Sequence, residues 1–308
     1  MGKHKSVYLK FSDYLHPKYW IMWLLFACLR VTALFPYSFQ LKFGRGLGKL
    51  IHFLSGQRQH IVDTNLKRCF PEKTDTERSQ LGKRSIENIG ISIMELAMCW
   101  WWKPEKLEKL VEVRGLETVQ QYLDREQGVI LLSGHMASLE IGARLLALFL
   151  PMQVMYRAQR NRLFDSFLFT KRQGYFEDVI SRKNTLRLVK GIKKGIPTWY
   201  APDQDFARER NVFAPFFNIP TATITAGSRL AKASGAAVIP FFPERKSDGS
   251  GYILWLLPAL ENFPSGDDVA DATAINASIE AFVTRHPEQY MWVHQRFKTR
   301  PAGEPKFY

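Results

Sequence analysis

The chain has 308 residues, 46% of them hydrophobic and 23% charged, which is typical of a globular protein and excludes a disordered one. Its 43 Lys and Arg residues against 29 Asp and Glu residues give a formal net charge of +14. We therefore expect an anionic partner: nucleic acid, an anionic membrane surface, or an acidic protein or ligand. The three cysteines, Cys28, Cys69 and Cys99, have no metal-ligand spacing and form no complete disulfide framework, which favours a reducing compartment.

An apolar and aromatic segment, Trp20 to Phe35, lies near the N-terminus and is followed by Pro36. No small-residue cleavage site follows it, so a cleavable signal peptide is not expected. The segment is interrupted by Arg30 and is short for a membrane span, which needs about 20 apolar residues. The pattern leaves two interpretations, a membrane anchor and a buried or interfacial helix.

Two further helical patterns precede the middle of the chain. Gly44 to Leu54 mixes basic and apolar residues at helical spacing, as interfacial helices do, although its three glycines disfavour a stable isolated helix. Thr76 to Trp102 ends in three consecutive tryptophans. That aromatic run is equally suited to a membrane interface and to the closure of a core.

From about Val111 onwards, the sequence alternates between strand-like and helix-like segments. Apolar runs predict five strands, at Gly128–Ser133, Gln153–Tyr156, Thr198–Ala201, Ala237–Phe242 and Tyr252–Leu257. The alternation predicts an α/β fold with a mainly parallel sheet flanked by helices on both faces. We expect a last helix at Ala272–His286 and a closing strand at Gln289–Val293. Since no repeat, low-complexity tract or Gly/Ser linker divides this region, it is predicted to be one domain.

The most informative motif is a histidine at the end of the most strand-like apolar run. His135 follows Val129–Leu132 and a small-residue turn, and precedes an Ala- and Leu-rich helix, which places it where sites collect in open α/β sheets. Glu140 lies about one helical turn beyond this junction, so we expect its carboxylate to fold back onto the imidazole. A neutral histidine oriented by a carboxylate is a general base suited to a hydroxyl group. The alternative is a hydrogen-bonded structural histidine.

Other charged residues also follow predicted strands. Asp203 and Asp205 come directly after one, although aspartates at such positions are as often turn or capping residues. Arg157 ends another strand, and Arg172 lies on an amphipathic basic-aromatic helix. An arginine of this kind is ordinarily a solvated surface charge. A guanidinium that reached the site would instead stabilise an oxyanion or clamp an anionic headgroup.

Several other chemistries are disfavoured. No His/Cys pair has zinc spacing, so no metal is expected. The segment around Ser133 lacks the Gly-x-Ser-x-Gly elbow of serine hydrolases, and no strand precedes the glycines at 44, 46 and 48, as a dinucleotide fingerprint requires. We find no recognised nucleic-acid-binding module and expect no nucleic-acid partner. Direct transfer without a covalent intermediate or a cofactor is the simplest remaining chemistry.

The His-x4-Glu arrangement of His135 and Glu140 resembles the signature of membrane glycerolipid and lipid A acyltransferases. Four more segments narrow the resemblance to the late (secondary) acyltransferases of lipid A biosynthesis, most closely the lauroyl-transferring type. These segments run from near the N-terminus almost to the end of the chain: Leu15–Trp20, Asn65–Glu72, Trp199–Asp205 and Glu288–Pro301.

The resemblance implies that a fatty acyl chain, laurate, moves from acyl carrier protein, a co-substrate, to a hydroxyacyl chain of a Kdo-bearing lipid A precursor. It implies catalytic roles for His135 and Glu140 and supporting roles for Arg172 and Asp203. It also favours the anchor interpretation, with residues 1–38 as a single-pass anchor in the bacterial inner membrane and residues 39–308 as a catalytic domain facing the cytoplasm.

The excess of basic residues would then bind three anionic partners: acyl carrier protein, the precursor glycolipid and anionic membrane lipids. Five basic residues spaced along one predicted helix form a candidate carrier-docking surface, with a solvated face as the alternative: Lys183, Arg187, Lys190, Lys193 and Lys194. One rival function is that of a glycerolipid (lysophosphatidate-type) acyltransferase. Two features count against it: Glu rather than Asp at position 140, and the segment from Met291 to Lys298. The other is a non-catalytic basic membrane-binding protein.

Overall fold

A computed structural model describes residues 10–206 and 210–308, and its centre is a seven-stranded sheet in the order β1-β9-β8-β2-β5-β3-β4. All neighbouring strands of this sheet are parallel except β8 and β9, which confirms the predicted mainly parallel α/β architecture. An antiparallel hairpin, β6–β7, forms a second sheet. The strands are β1 Val111–Arg114, β2 Val129–Leu132, β3 Gln153–Tyr156, β4 Asp178–Ser181, β5 Thr198–Tyr200, β6 Asn211–Phe216, β7 Ile219–Ile224, β8 Ala237–Arg245 and β9 Tyr252–Leu256.

Helices cover both faces of the large sheet. The α-helices are α1 Trp20–Thr32, α2 Tyr37–Leu54, α3 Gly56–Cys69, α4 Asp75–Trp101, α5 Pro104–Glu108, α6 Leu116–Leu123, α7 Leu139–Leu146, α8 Arg162–Gln173, α9 Thr185–Lys193, α10 Ala226–Ser234 and α11 Asp268–Arg285. Short 3-10 helices span Phe11–Tyr14, Pro17–Tyr19 and Pro287–Gln289.

The central strand β2 shows why its sequence is a continuous apolar run. Val129 and Leu131 pack into one hydrophobic core, on the α7 side of the sheet, while Ile130 and Leu132 pack into a second core with α11. Alternate side chains of a strand point to opposite faces, so a strand covered on both sides needs apolar residues at every position. β2 is therefore held in the middle of the sheet, and the residue that follows it is fixed by both cores.

The predicted helix at Trp20–Phe35 is observed as α1, which spans Trp20–Thr32 and packs against α4 and α8. Phe26 is buried, and its ring centroid lies 5.7 Å from that of Trp100 and 4.3 Å from that of Phe167. Trp100, in the aromatic run at the end of α4, thus closes a core. None of the helices formed by residues 10–206 and 210–308 has both the length and the apolar character needed to cross a membrane. Residues 1–9 of the predicted anchor lie outside the described part of the chain.

The glycines of α2 allow it to cross α4 at very short range. A Cβ added at Gly48 would lie 2.4 Å from Glu87 Cα, and one added at Gly44 would lie 2.6 Å from Ile91 Cα. Between them, Gly46 faces open space, with no atom within 4 Å of an added Cβ. The helix disfavoured by its glycines as an isolated segment is therefore stabilised by this close packing.

We expect Gly48→Ala to destabilise the protein by about 1–3 kcal/mol, because the two helix backbones must separate to admit a methyl group. Gly46→Ala is the matched control on the same helix and should be neutral or stabilising by up to about 1 kcal/mol, since alanine favours the helical backbone. Chemical denaturation of both variants measures the difference. Equal unfolding free energies for the two would contradict this account of the crossing.

The predicted closing strand at Gln289–Val293 is wrong. A 3-10 helix ends at Gln289, and the chain then makes a single antiparallel bridge between Tyr290 and Met136. It pairs with the loop that leaves β2 and not with an edge strand: Ala137 N–H donates to Gln289 C=O (2.7 Å) and Met291 N–H to His135 C=O (3.0 Å). The C-terminal segment thereby clamps the loop that carries His135.

Candidate active site

His135 lies in a tight loop between β2 and α7, at the carboxyl edge of the sheet. The Ser133 N–H donates to the Tyr200 carbonyl (2.9 Å), which continues the β2–β5 pairing up to the residue before Gly134. A Cβ added at Gly134 would lie 2.8 Å from Ile279 Cγ2. The loop therefore passes too close to α11 for a side chain at position 134, so the glycine before His135 is a packing requirement of the site.

The carboxylate that holds His135 is that of Asp203, which follows β5. Asp203 Oδ1 lies 2.5 Å from His135 Nδ1, and Oδ2 accepts hydrogen bonds from the His135 backbone N–H (2.7 Å) and the Tyr290 hydroxyl (2.8 Å). The Asp203 side chain is 1% exposed and that of His135 is 21% exposed. With Nδ1 engaged, Nε2 is the ring nitrogen left for a substrate.

Burial alone would raise the pKa of the Asp203 carboxyl. The charge of His135 and the hydrogen bonds from its ring, its backbone N–H and Tyr290 outweigh burial and hold that pKa well below its usual range. Asp203 is therefore ionised at neutral pH. An ionised carboxylate on Nδ1 keeps the proton on that nitrogen and stabilises the imidazolium that forms when Nε2 takes a second proton.

Glu140, expected to contact His135, has different partners. Its Oε1 accepts hydrogen bonds from Arg172 Nε (3.0 Å) and the Tyr175 hydroxyl (2.9 Å), and its Oε2 pairs with Arg172 Nη2. The difference arises because residues 136–138 are not helical and α7 begins only at Leu139, so Glu140 is not one helical turn beyond His135. The contact to His135 that the sequence assigned to Glu140 is therefore made by Asp203.

The Glu140–Arg172 pair is largely enclosed, with side chains 20% and 15% exposed. Burial would raise the pKa of Glu140, but the charge and hydrogen bonds of Arg172 outweigh it and lower that pKa. Arg172 was expected to reach the cleft of His135. Its guanidinium is instead bonded to Glu140 and is not among the groups that line the pocket around His135. The pair joins α7, which follows the His135 loop, to α8.

A pocket of about 600 Å³ opens beside His135. Arg157, at the end of β3 as predicted, and Arg160 supply positive charge to its wall, and Gln204 adds an amide. Apolar surface comes from Met22 of α1 and Phe164 of α8; Ala158, Gln159 and Asn161 complete the lining. The site thus brings a histidine, two cations and apolar side chains to one cavity.

The other predicted charges lie elsewhere. Asp205 accepts hydrogen bonds from the N–H (2.6 Å) and hydroxyl (2.9 Å) of Thr299, which tie the loop after β5 to the C-terminal segment, a contact that the sequence did not predict. The five residues of the candidate docking surface are exposed, but Arg187 pairs with Asp178 at 2.7 Å. They extend from Lys183, just after β4 at the carboxyl edge of the sheet, to Lys194, before β5 at the opposite edge. Docking of a carrier on this surface stays a prediction.

Besides Arg160, sequence reasoning missed three further members of the site. Tyr290 bonds to Asp203, Gln204 lines the pocket, and the ring centroid of His294 lies 5.6 Å from that of His135. All three fall in segments that carried the family resemblance, but no local pattern indicated that residues 290–294 return to β2. Residues 10–206 and 210–308 contain no group of three His, Cys, Asp or Glu side chains arranged to hold a metal ion.

Comparison with known proteins gives a uniform result. Residues 10–299 match the sequence profile of the family described as bacterial lipid A biosynthesis acyltransferase. The chain is 38% identical to the lipid A biosynthesis lauroyltransferase of Escherichia coli (strain K12) over 301 residues, 97% of this chain and 98% of that protein. The palmitoleoyltransferase of the same organism is 35% identical over 97% of this chain and 98% of its own length, and the myristoyltransferase is 30% identical over 98% and 95%.

Proposed function

This chain belongs to the bacterial lipid A biosynthesis acyltransferases, and we propose that it moves a fatty acyl chain from acyl carrier protein to a hydroxyacyl chain of a Kdo-bearing lipid A precursor. The observation that carries the proposal is the His135–Asp203 pair, placed at the carboxyl edge of the sheet and opening into a pocket with both cationic and apolar walls. The histidine would serve as the base that a hydroxyl acceptor needs. The cationic wall would bind an anionic glycolipid, and the apolar wall would bind an acyl chain.

The proposed reaction is a direct transfer. His135 Nε2 takes the proton of the acceptor hydroxyl as its oxygen attacks the thioester carbonyl, forming a C–O bond and a tetrahedral oxyanion. The oxyanion collapses, the C–S bond breaks, and the departing thiolate receives the proton from the His135 imidazolium. Asp203 holds the Nδ1–H tautomer throughout. The products are an ester and the free carrier thiol.

Two roles follow for the arginines. Arg157 and Arg160 line the pocket and are exposed, so they are placed to bind phosphate or carboxylate groups of the acceptor. Arg172, bonded to Glu140, acts on structure: it fixes α8, which carries Phe164 of the pocket wall, to the beginning of α7. In this proposal, Glu140 and Arg172 are positioning residues.

We propose that the acyl chain is laurate, because the sequence most closely resembles the lauroyl-transferring type of the family. Relatives named for lauroyl, palmitoleoyl and myristoyl transfer share the family, and one methylene in an apolar pocket is worth only about 1–3 kcal/mol. Competition among lauroyl, myristoyl and palmitoleoyl carrier thioesters tests it. We expect lauroyl ester to dominate the product. Preferential use of another chain would overturn the laurate assignment and leave the family unchanged.

The alternative function is transfer to a glycerolipid. The same chemistry would serve, but two arginines in one pocket favour an acceptor with several anionic groups over a lysophosphatidate with one phosphate. A panel of acceptors with a single donor distinguishes the two. Ester formation on the Kdo-bearing precursor supports the proposal, whereas ester formation on lysophosphatidate alone would replace it.

We further propose that the protein works at the inner membrane, on its cytoplasmic face. Large apolar side chains are exposed along α1, α2 and the 3-10 helices before them: Phe11, Leu15, Trp20, Ile21, Leu24, Leu25, Val31, Leu34, Phe35, Phe43, Leu50, Phe53 and Leu54. Exposed basic residues stand among them, including Lys18, Lys42, Arg45 and Lys49. Apolar side chains with basic neighbours bind anionic bilayers.

The double variant Ile21→Glu/Phe53→Glu should lose most binding to vesicles that contain phosphatidylglycerol, because these side chains are 83% and 82% exposed on α1 and α2. Leu186→Glu is the matched control, since Leu186 is 75% exposed on α9. Vesicle co-sedimentation measures binding. If the double variant sediments as fully as the control, the membrane surface is not formed by α1 and α2.

A further inference from the structure

The sequence segment from Glu288 to Pro301 brings a second histidine to the site. The carbonyls on either side of Val293, those of Trp292 and His294, accept hydrogen bonds from Asn65 Nδ2 at 2.7 and 2.9 Å. Asn65 is 1% exposed, and its Oδ1 accepts from the Tyr308 hydroxyl. A buried amide on α3 thus fixes the backbone of His294, and two distant sequence segments combine to hold one ring in place.

The His294 ring meets the edge of His135, with centroids 5.6 Å apart and planes at 75°. Burial, then the charge of His135 and that of Arg58, lower the pKa of His294 to about 4, although Asp203 opposes them. His294 is therefore neutral at neutral pH, and one of its ring nitrogens is a hydrogen-bond acceptor.

Gln204 connects this second histidine to the pocket. It directly follows Asp203, its Nε2 lies 3.3 Å from His294 Nε2, and it lines the pocket together with His135. A carboxamide nitrogen carries two hydrogens. His294 accepts one of them, which fixes the orientation of the amide and leaves the other hydrogen for a group bound in the pocket.

We propose that Gln204 is a catalytic residue that donates this second hydrogen to the thioester carbonyl oxygen, and that His294 is its positioning residue. The inference rests on the proposed function. As the acceptor oxygen attacks, the C=O electron pair moves onto that oxygen, and a preorganised neutral donor stabilises the charge where it develops. This role adds one hydrogen-bond donor, Gln204, to the reaction proposed above, and Gln204 neither gains nor loses a proton.

The test measures kcat and KM for Gln204→Ala and Gln204→Glu. Removal of one oxyanion donor ordinarily lowers kcat by about 100- to 1,000-fold with little change in KM, and we expect a loss in this range for Gln204→Ala. Gln204→Glu keeps the shape but replaces the donor by a negative charge, so its loss should be larger. Gln173→Ala, an exposed residue at the end of α8, is the control and should be unaffected.

A double-mutant cycle isolates the role of His294. His294→Ala should lower kcat in the native background and have no additional effect in Gln204→Ala, because both changes remove the same hydrogen bond. A purely structural role would instead give equal losses in both backgrounds and would overturn the positioning role. Thermal unfolding of each variant shows whether the fold persists, and Gln204→Glu serves if Gln204→Ala does not fold.

His135→Ala in the same assay distinguishes a failure of the Gln204 role from a failure of the proposed function. If His135→Ala is inactive and both folded Gln204 variants turn over at the native rate, the oxyanion role of Gln204 is overturned while the proposed function stands. If His135→Ala itself turns over normally, the proposed function fails, and the role of Gln204 fails with it.

Discussion

His135→Ala should fold as the native chain does and transfer acyl groups about 100- to 10,000-fold more slowly, the range typical of a lost general base. The His135 side chain is 21% exposed and lines the pocket, so its removal leaves no large cavity in either core. The loss should appear in kcat, since the base acts on the bound hydroxyl. Initial rates with a carrier thioester donor measure it.

His294→Ala is the matched control, because it removes a second histidine whose ring contacts that of His135. It should retain more activity than His135→Ala, because His294 acts through Gln204 and does not take the proton. Unfolding midpoints of both variants must stay near that of the native protein for the comparison to count. Near-native turnover by folded His135→Ala would eliminate the base and the mechanism built on it.

Asp203→Asn should lower kcat nearly as much as His135→Ala does. In a Ser-His-Asp triad, exchange of the orienting carboxylate for an amide lowers kcat about 10,000-fold with the geometry intact, because the histidine takes the wrong tautomer. Asp203 makes the same kind of contact to His135 Nδ1 and is 1% exposed. We therefore expect Asp203→Asn to reduce kcat by at least about 100-fold, as measured by initial rates at saturating donor and acceptor.

Glu140→Gln is the informative comparison, because the sequence and the structure assign the orienting role to different carboxylates. Glutamine would leave the enclosed Arg172 without a balancing charge, which should lower the unfolding free energy by up to about 3 kcal/mol and reduce activity through misplacement of α7 and α8. Its kcat loss should be smaller than that of Asp203→Asn. The reverse order, with a stable Glu140→Gln protein that is the less active of the two, would return the orienting role to Glu140.

Much of the fold follows from local patterns in the sequence. A run of apolar residues such as Val129–Leu132 can be recognised because a strand buried on both faces needs no polar residue. Strands β1 and β4 have four residues each and were not singled out, since Glu112 and Asp178 interrupt their apolar character. The β6–β7 hairpin was missed because its turn residues, Phe217 and Asn218, adopt positive φ without the glycine that usually marks such a turn.

The sequence predicted that His135 and Asp203 lie at the site but not which carboxylate contacts His135. His135 and Asp203 follow the neighbouring parallel strands β2 and β5, so their proximity follows from topology, yet local spacing favoured Glu140 as the partner of His135. The non-helical residues 136–138, which the bridge to Tyr290 holds, decide the matter. That bridge joins positions 154 residues apart in sequence (290 − 136), and no periodic pattern carries information over such a distance.

The central claim is that this chain joins an acyl chain to a lipid hydroxyl through His135. Its most direct test is mass spectrometry of the Kdo-bearing precursor after incubation with lauroyl carrier thioester, with free thiol measured in parallel. We expect the precursor to gain one lauroyl ester for each thiol released by the native protein, and neither product with His135→Ala. Thiol release without a change in precursor mass, or equal ester formation by both proteins, would contradict the account.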